Sequence, residues 1–246
     1  MIGIYDYGIG GLGVYRLLRA RHFKQAFMYF SDAGYQPYGQ VEQKELRDRV
    51  SQVINFFHGQ GVNKIAVACN AASSVLPGTK RDKNILSIID FGIEVVKQSK
   101  IKNLAIWGGG RTIDSNIYPR LLKPLSLQVS QLNTQFLSLQ IEKGDTFSTE
   151  LIEFAKATLK KSKQAEGVLL ACTHYPAILP LLQSVDPAKR YLDPADEMAN
   201  FIVKNWQESI KNEVDCFYTT GDKIAMKKAA KVAFAVDITN VQRMIL

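Results

Sequence analysis

Short apolar runs and helical patterns alternate along the chain. Each run of four to six apolar residues lies between turn formers, which is typical of a buried strand in a parallel sheet. Between the runs, apolar residues return with the period of an amphipathic helix. The alternation predicts an α/β fold with parallel sheets. The predicted strands are IGIY, FMYF, KIAVA and ILSII, then LAIW, LSLQV and GVLLA, and finally CFYTT and one more strand.

Two parts of the chain follow the same order of elements, which indicates an internal repeat. Tyr5 and Trp107 each close a predicted strand before a glycine-rich turn, and Cys69 and Cys172 each follow a later strand. Both pairs are about 100 residues apart. We therefore expect two pseudo-symmetric α/β domains, each with a parallel sheet, which face each other across a central cleft.

The predicted domain limits follow from a polar break and from the C-terminal tail. The break is Lys100 to Asn103, and a helical pattern from about Asp196 to Ile210 precedes the last strands. Since both sheets are already complete at that point, we expect the tail to return to the first domain. The predicted first domain is residues 1–98 plus 198–246, and the predicted second domain is residues 99–197.

The two matched cysteines are the strongest candidates for chemistry. Cys69 lies in ACNAAS and Cys172 in ACTHYP, and a helical pattern follows each of them. Ligands of open α/β sheets bind at the carboxyl ends of strands, and a helix N-terminus lowers the pKa of a thiol. A single cysteine at a strand end is more often a packing residue. Two in matched settings predict a reactive pair across the cleft.

Charge and composition narrow the class of protein. Of the 246 residues, 46% are hydrophobic and 22% are charged, as in ordinary globular proteins. The net charge of +8 is not concentrated in one place, and the two lysine clusters, at residues 160–163 and 227–231, fall on separate helical patterns without interleaved aromatic residues. This spread favours solvated helix faces over a nucleic-acid surface, although the positive field would attract a small anion.

The cysteines and the N-terminal sequence indicate the cellular compartment in which we expect the protein. The chain has three cysteines and lacks the close spacing of a disulfide scaffold, which predicts a reducing environment and a structural role for Cys216. No basic segment followed by an apolar one precedes the first strand, and no run of 18 apolar residues occurs. We expect a cytoplasmic protein without membrane contact.

The first glycine-rich turn supports a competing interpretation. GIGGLG at residues 8–13 matches the G-x-G-x-x-G pattern of dinucleotide-binding folds, and Asp32 follows about 20 residues later. The carboxylate of Asp6 argues against this, because it would repel a phosphate at the same turn. The glycines could equally permit tight packing of helix on strand. A dinucleotide-binding protein therefore stays an alternative.

Motifs spread over almost the whole chain resemble those of the glutamate racemases, within the aspartate/glutamate racemase superfamily. ACTHYP and PYG carry most of the specificity. The resemblance implies a racemase that uses neither cofactor nor metal and supplies D-glutamate for peptidoglycan, commonly as a homodimer. The motifs are, in order, IGIYDYGIGGLGV, YFSDAGYQPYG, ACNAAS, the turn with Thr112 and Ser115, LQIEKG, ACTHYP and FYTTGD.

The resemblance also implies a division of catalytic labour. Inversion of an α-carbon requires a proton to leave one face and another to arrive on the opposite face. By resemblance, Cys69 and Cys172 are the two acid–base groups and exchange roles with the enantiomer. Asp6 is expected to assist Cys69, while His174 and Glu142 assist Cys172.

The same motifs imply a set of substrate contacts. Asn70 and Thr173 are expected to hold the α-carboxylate from the helix N-termini. Pro37, Tyr38 and Gly39 would shape the pocket for the side-chain carboxylate of a small anionic amino acid.

Three positions depart from the family pattern. The family has serine where this chain has Tyr7, threonine where it has Ala71, and a threonine near Gly109. Thr112 keeps a hydroxyl in the second glycine-rich turn, and we expect it to contact the substrate. Losing a hydrogen bond to a charged group costs about 1.5–3 kcal/mol. A racemase of another amino acid, such as aspartate, and a binding or regulatory protein that kept the fold therefore stay open.

Overall fold

The computed structural model describes residues 1–76, 83–207 and 214–246. The strands are β1 (Ile2–Asp6), β2 (Phe27–Ser31), β3 (Ile65–Val67), β4 (Ile85–Ser87), β5 (Asn103–Gly108), β6 (Gln128–Asn133), β7 (Gly167–Ala171), β8 (Arg190–Leu192), β9 (Cys216–Thr219) and β10 (Val241–Arg243). The helices are α1 (Leu12–Ala20), α2 (Gln43–Gly59), α3 (Asn70–Ser73), α4 (Ile88–Ser99), α5 (Gly110–Asp114), α6 (Ile117–Leu122), α7 (Gln135–Glu142), α8 (Thr149–Lys161), α9 (Leu179–Val185), α10 (Pro194–Asn205) and α11 (Lys223–Phe234). Short 3-10 turns occupy Tyr38–Gln40, Lys123–Leu125 and Tyr175–Ile178.

These strands form two parallel sheets, which confirms the predicted fold class. One sheet has the order β10-β9-β2-β1-β3-β4 and the other β6-β5-β7-β8. Every residue of β1 and of β7 is buried, because helices cover both faces of each sheet. We call the six-stranded sheet, with the segments that follow its strands, the first lobe. The four-stranded sheet with its following segments is the second lobe.

The last two strands, β9 and β10, belong to the sheet of the first lobe. β9 pairs in parallel with β2, and β10 continues the sheet outward from β9. α10 packs against both α1 and α4. The limits at residues 98 and 198 stay a prediction.

Several predicted elements have different limits in the structure. The apolar run ILSII is divided, because β4 ends at Ser87 and α4 begins at Ile88. LSLQV is mostly outside its strand, since Ser126 adopts the left-handed conformation and β6 begins only at Gln128. The long helix predicted from about Asp196 to Ile210 begins at Pro194, where Asp193 caps it by accepting from the Ala195 amide, and it ends at Asn205. Residues 208–210 of the predicted helix lie outside the described residues.

Asp32 forms an internal ion pair, and this removes the support for a dinucleotide site. Its carboxylate is fully buried and accepts two hydrogen bonds from Arg49, at 2.7 and 2.8 Å. The Tyr38 hydroxyl donates to the same group at 2.5 Å and the Thr220 hydroxyl at 2.9 Å. With these four donors around it, the Asp32 carboxylate is not available to a ribose hydroxyl.

Candidate active site

The carboxyl ends of β1, β3, β5 and β7 meet at one cavity of about 40 Å³ between the lobes. The structure brings eleven of the thirteen predicted site residues to its wall. They are Asp6, Tyr7, Tyr38, Gly39, Cys69, Asn70, Ala71, Thr112, Cys172, Thr173 and His174. Of the other two, Glu142 lies behind His174, and Pro37 precedes the 3-10 turn that carries Tyr38.

Cys172 belongs to a hydrogen-bonded chain that ends in a carboxylate. It follows β7 directly, and its Sγ lies 3.6 Å from Nδ1 of His174. Nε2 of His174 lies 2.6 Å from Oε2 of Glu142. Burial opposes protonation of His174, but its hydrogen bonds to Cys172 and Glu142 outweigh burial and raise its pKa well above the ordinary range. An imidazolium in this position can stabilise a thiolate.

Cys69 has the opposite electrostatic surroundings. Burial raises the pKa of this thiol well above its ordinary value, and the negative charge of Asp6 is the second largest cause of the increase. The backbone amides of Ala72 and Tyr7 donate to the sulfur and offset only part of this. The expectation that a helix N-terminus lowers this pKa is therefore wrong. α3 has only four residues, so its dipole is too small to compensate for the buried setting.

Asp6 is a buried carboxyl group that can carry a proton close to neutral pH. Burial raises its pKa to about 6, although the positive charge of His174 and hydrogen bonds act in the other direction. Its Oδ2 accepts from the Thr173 hydroxyl at 2.7 Å, and its Oδ1 accepts from the Gly8 amide at 3.3 Å. Asp6 thus lies between the first glycine-rich turn and the second lobe.

The first glycine-rich turn permits close contact between the lobes. A β-carbon at Gly8 would lie 1.9 Å from Oε2 of Glu142, and one at Gly10 would lie 2.4 Å from Oγ1 of Thr173. The amide of Ile9 donates to the Glu142 carboxylate at 2.8 Å. The second lobe therefore occupies the space in which any larger side chain would lie.

Among the candidate carboxylate ligands, Asn70 has an unused donor. The residue is 3% exposed, and its Oδ1 accepts from the Tyr118 hydroxyl at 2.7 Å. Over the described part of the chain, its Nδ2 has no hydrogen-bond partner. The Thr173 hydroxyl, by contrast, already donates to Asp6. A buried amide donor beside two thiols is suited to a carboxylate.

Tyr7 occupies part of the cavity wall. Its ring centroid lies 5.2 Å from that of Tyr38, and its hydroxyl lies 3.5 Å from the Tyr35 carbonyl oxygen. The hydroxyl of Tyr38 is bonded to Asp32 and Tyr5. The aromatic rings thus narrow this side of the site.

Residues at the start of α7 complete the wall and were missed by the sequence analysis. Gln135 accepts from the Gly110 amide through Oε1 and donates to Ser138 through Nε2, both at 3.1 Å. Ser138 and Leu139 also line the cavity. Residues that directly follow a parallel strand are candidates for a site, and α7 follows β6 in this way. The predicted limits of β6 were wrong, so the sequence analysis did not place α7 at the strand end.

Within the described residues, two other kinds of site are not found. None of the helices there is long and apolar enough to span a bilayer. No cluster of three or more His, Cys, Asp or Glu side chains in those residues is placed to hold a metal ion.

Comparison with known proteins identifies the relatives of this chain. No protein-family model matches it. Glutamate racemase 2 of Caldanaerobacter subterraneus subsp. tengcongensis is 27% identical over 253 residues, which cover 98% of this chain and 95% of that protein. The chain is homologous to the glutamate racemases.

Solved structures of glutamate racemases share the fold throughout. Isoform RacE1 from Bacillus anthracis superposes with a TM-score of 0.88 at 23% identity, over 100% of this chain and 97% of that one. The Thermus thermophilus glutamate racemase, solved with beta-chloro-D-alanine, gives 0.84 at 26% identity, over 100% and 96% of the two chains. The two-sheet architecture is therefore that of the glutamate racemases.

The raised pKa of Asp6 predicts that Asp6→Asn gains stability relative to the wild type as pH rises from about 4 to above 6. The folded pKa is about 6 and the ordinary value is 3.8, so the native state retains a proton that the unfolded chain has released. Wild-type stability should fall as pH rises from about 4 to about 6, and the variant should gain about 1–3 kcal/mol above that window. The gain should vanish near pH 4.

Thermal unfolding of both proteins from pH 4 to 8 measures this difference. Asp237→Asn, at a solvent-exposed carboxyl group, is the control and should show no such pH-dependent gain. An equal effect of Asp6→Asn at pH 4 and pH 8 would contradict the assignment.

Proposed function

We propose that this protein is a glutamate racemase that interconverts L- and D-glutamate without a cofactor. The observation that carries the proposal is the pair of thiols at one cavity, one beside a histidine that favours positive charge and the other beside a carboxylate. The homology to glutamate racemases supports the same activity. The resemblance further supports a role in supplying D-glutamate for peptidoglycan and a cytoplasmic homodimer.

The electrostatic settings suggest the starting protonation states. The two-base mechanism requires one thiolate and one thiol at the start. We assign the thiolate to Cys172, because its Sγ lies 3.6 Å from Nδ1 of His174, and the thiol to Cys69, because burial and Asp6 raise the pKa of that group. The Cys172 thiolate removes the α-proton from one face, and the Cys69 thiol donates its proton to the other face. Each sulfur then has the protonation state that the other had, which is the starting state for the opposite enantiomer.

The α-carboxylate must be held while negative charge develops beside it. The unused Nδ2 donor of Asn70 is placed for this role, and charge that spreads from the α-carbon into the carboxylate would strengthen its hydrogen bond. We propose that Thr112 and the segment Pro37–Gly39 shape the remainder of the pocket. Tyr38 and Gly39 reach the cavity, and Pro37 sets the start of their 3-10 turn.

Aspartate is the second candidate substrate, because aromatic rings narrow one side of the cavity. Tyr7 lines the cavity where the family pattern has a serine, and its ring centroid lies 5.2 Å from that of Tyr38. Aspartate is one methylene shorter than glutamate and would require less space near Tyr7.

The substrate proposal predicts inversion of glutamate and not of its neutral isostere glutamine. Each amino acid is incubated with the enzyme in deuterium oxide, and proton NMR and polarimetry follow α-proton exchange and inversion. Inversion of glutamine at a rate similar to that of glutamate would contradict an acidic substrate. Faster inversion of aspartate would instead establish the second candidate.

The two-thiol mechanism predicts that Cys69→Ser and Cys172→Ser each abolish most inversion. A serine hydroxyl is far less acidic than a thiol, and a positioned acid or base contributes about 10²–10⁴-fold, so each variant should lose at least that much. Because the thiols act as a unit, the double variant should be little worse than either one. Each single variant should still exchange the α-hydrogen of one enantiomer, and the two should prefer opposite enantiomers.

Cys216→Ser is the matched control, since this thiol lies in β9 and does not line the cavity. Its inversion rate should equal that of the wild type. A cavity-thiol variant that keeps inversion within about tenfold of wild type would overturn the two-thiol assignment.

Tyr7→Ser should improve the binding of glutamate. The change widens the cavity and returns the small hydroxyl that the family pattern has. One hydrogen bond to a carboxylate is worth about 1.5 kcal/mol, so KM should fall by about tenfold. Tyr7→Phe keeps the ring and should leave KM unchanged if the ring is what restricts the site. An unaltered KM in Tyr7→Ser would mean that Tyr7 does not limit substrate binding.

A further inference from the structure

A tyrosine of the second lobe holds the side chain of Asn70 in one orientation. Tyr118 lies on α6, whereas Asn70 begins α3 of the first lobe. The Tyr118 hydroxyl donates to Oδ1 of Asn70 at 2.7 Å, and both side chains are buried, Tyr118 completely. This hydrogen bond therefore crosses between the lobes at the edge of the cavity.

The orientation matters because the two ends of a carboxamide are chemically opposite. The oxygen only accepts and the nitrogen only donates, so a half-turn about χ2 exchanges an acceptor for a donor. The hydrogen bond from the Tyr118 hydroxyl to Oδ1 of Asn70 favours the rotamer in which Nδ2 of Asn70 faces the cavity. Nδ2 is buried there and unpaired within the residues that the structure describes. In the opposite orientation, an acceptor would face the substrate carboxylate and repel it.

The position of the phenol is itself determined by packing. The Tyr118 ring lies in an apolar cluster where α4 of the first lobe meets the second lobe, with Ile89 and Val96 of α4 and Ile106 of β5. A β-carbon at Gly92 of α4 would lie only 2.5 Å from the Tyr118 hydroxyl oxygen. The glycine thus lets the hydroxyl pass close to α4 and reach Asn70.

We propose that Tyr118 is a positioning residue that turns the donor end of Asn70 toward the substrate carboxylate. The inference rests on the proposed racemase function and adds to it a residue from outside the cavity wall. Because the bond joins the lobes, the donor is aligned only while the lobes keep this arrangement.

A double-mutant cycle tests the proposal. Tyr118→Phe keeps the ring and removes the hydroxyl, Asn70→Ala removes the donor, and the third protein carries both changes. Tyr118→Phe should lower kcat/KM for glutamate by about five- to tenfold, in the range of one hydrogen bond to a charged group. In the Asn70→Ala background, the same change should have less than about a twofold effect, because the group that it orients is absent.

The matched control is Tyr191→Phe. Tyr191 also belongs to the second lobe and donates to a backbone carbonyl, that of Leu182, at 2.9 Å, but it does not line the cavity or contact Asn70. Its kcat/KM should equal that of the wild type. If Tyr118→Phe does not fold, Gly92→Ala replaces it, since the added methyl group displaces the phenol from Asn70 and should produce the same loss.

Two results would overturn the role of Tyr118. One is a kcat/KM for Tyr118→Phe within twofold of wild type, and the other is an equal loss in the presence and absence of Asn70. If the wild type racemises neither glutamate nor aspartate, the proposed function fails separately. The binding of glutamate to the same variants is then measured by titration calorimetry. Tyr118→Phe should still raise the Kd for glutamate. An unchanged Kd, or no binding of glutamate to any of the proteins, overturns the positioning role.

Discussion

Two hydrogen bonds between the lobes hold the groups that assist the two thiols. Asp6 of the first lobe accepts from the Thr173 hydroxyl of the second, and Glu142 of the second lobe accepts from the Ile9 amide of the first. A carboxylate removed from water requires such donors, because an unpaired buried charge costs several kcal/mol. Each lobe therefore supplies one hydrogen-bond donor to the carboxylate that assists the thiol of the other lobe. The docking of the lobes thus helps to stabilise both charged groups of the site.

This arrangement gives the two thiols unequal surroundings within a pseudo-symmetric fold. His174 provides positive charge beside Cys172, and Asp6 provides negative charge beside Cys69. A reaction that moves one proton in and one proton out needs one thiolate and one thiol at the start, so the asymmetry is useful. It also has a cost in stability, since the native state must bury Asp6 in a setting that raises its pKa.

The sequence predicted the strands and the location of the site better than the details of the site. β1 and β7 were recognised because burial on both faces leaves continuous apolar runs. The limit between β4 and α4 was missed because the apolar run continues from a strand into the buried start of a helix. The raised pKa of Cys69 depends on burial and on Asp6, which lies 63 positions away in the printed sequence. Such an effect becomes visible only once the chain has folded.

The glycine-rich turn shows why a matching motif can have a different cause. The pattern G-x-G-x-x-G is required where a pyrophosphate approaches a backbone closely. In this chain Glu142, Thr173 and His174 approach the same turn, and they leave no room for a β-carbon at Gly8 or Gly10. In this protein the glycines make room for the second lobe and not for a nucleotide. Asp6 distinguishes a nucleotide site from a contact between the lobes. A carboxylate at the end of β1 would repel a phosphate. The same carboxylate can accept hydrogen bonds from Gly8 and from Thr173 of the second lobe.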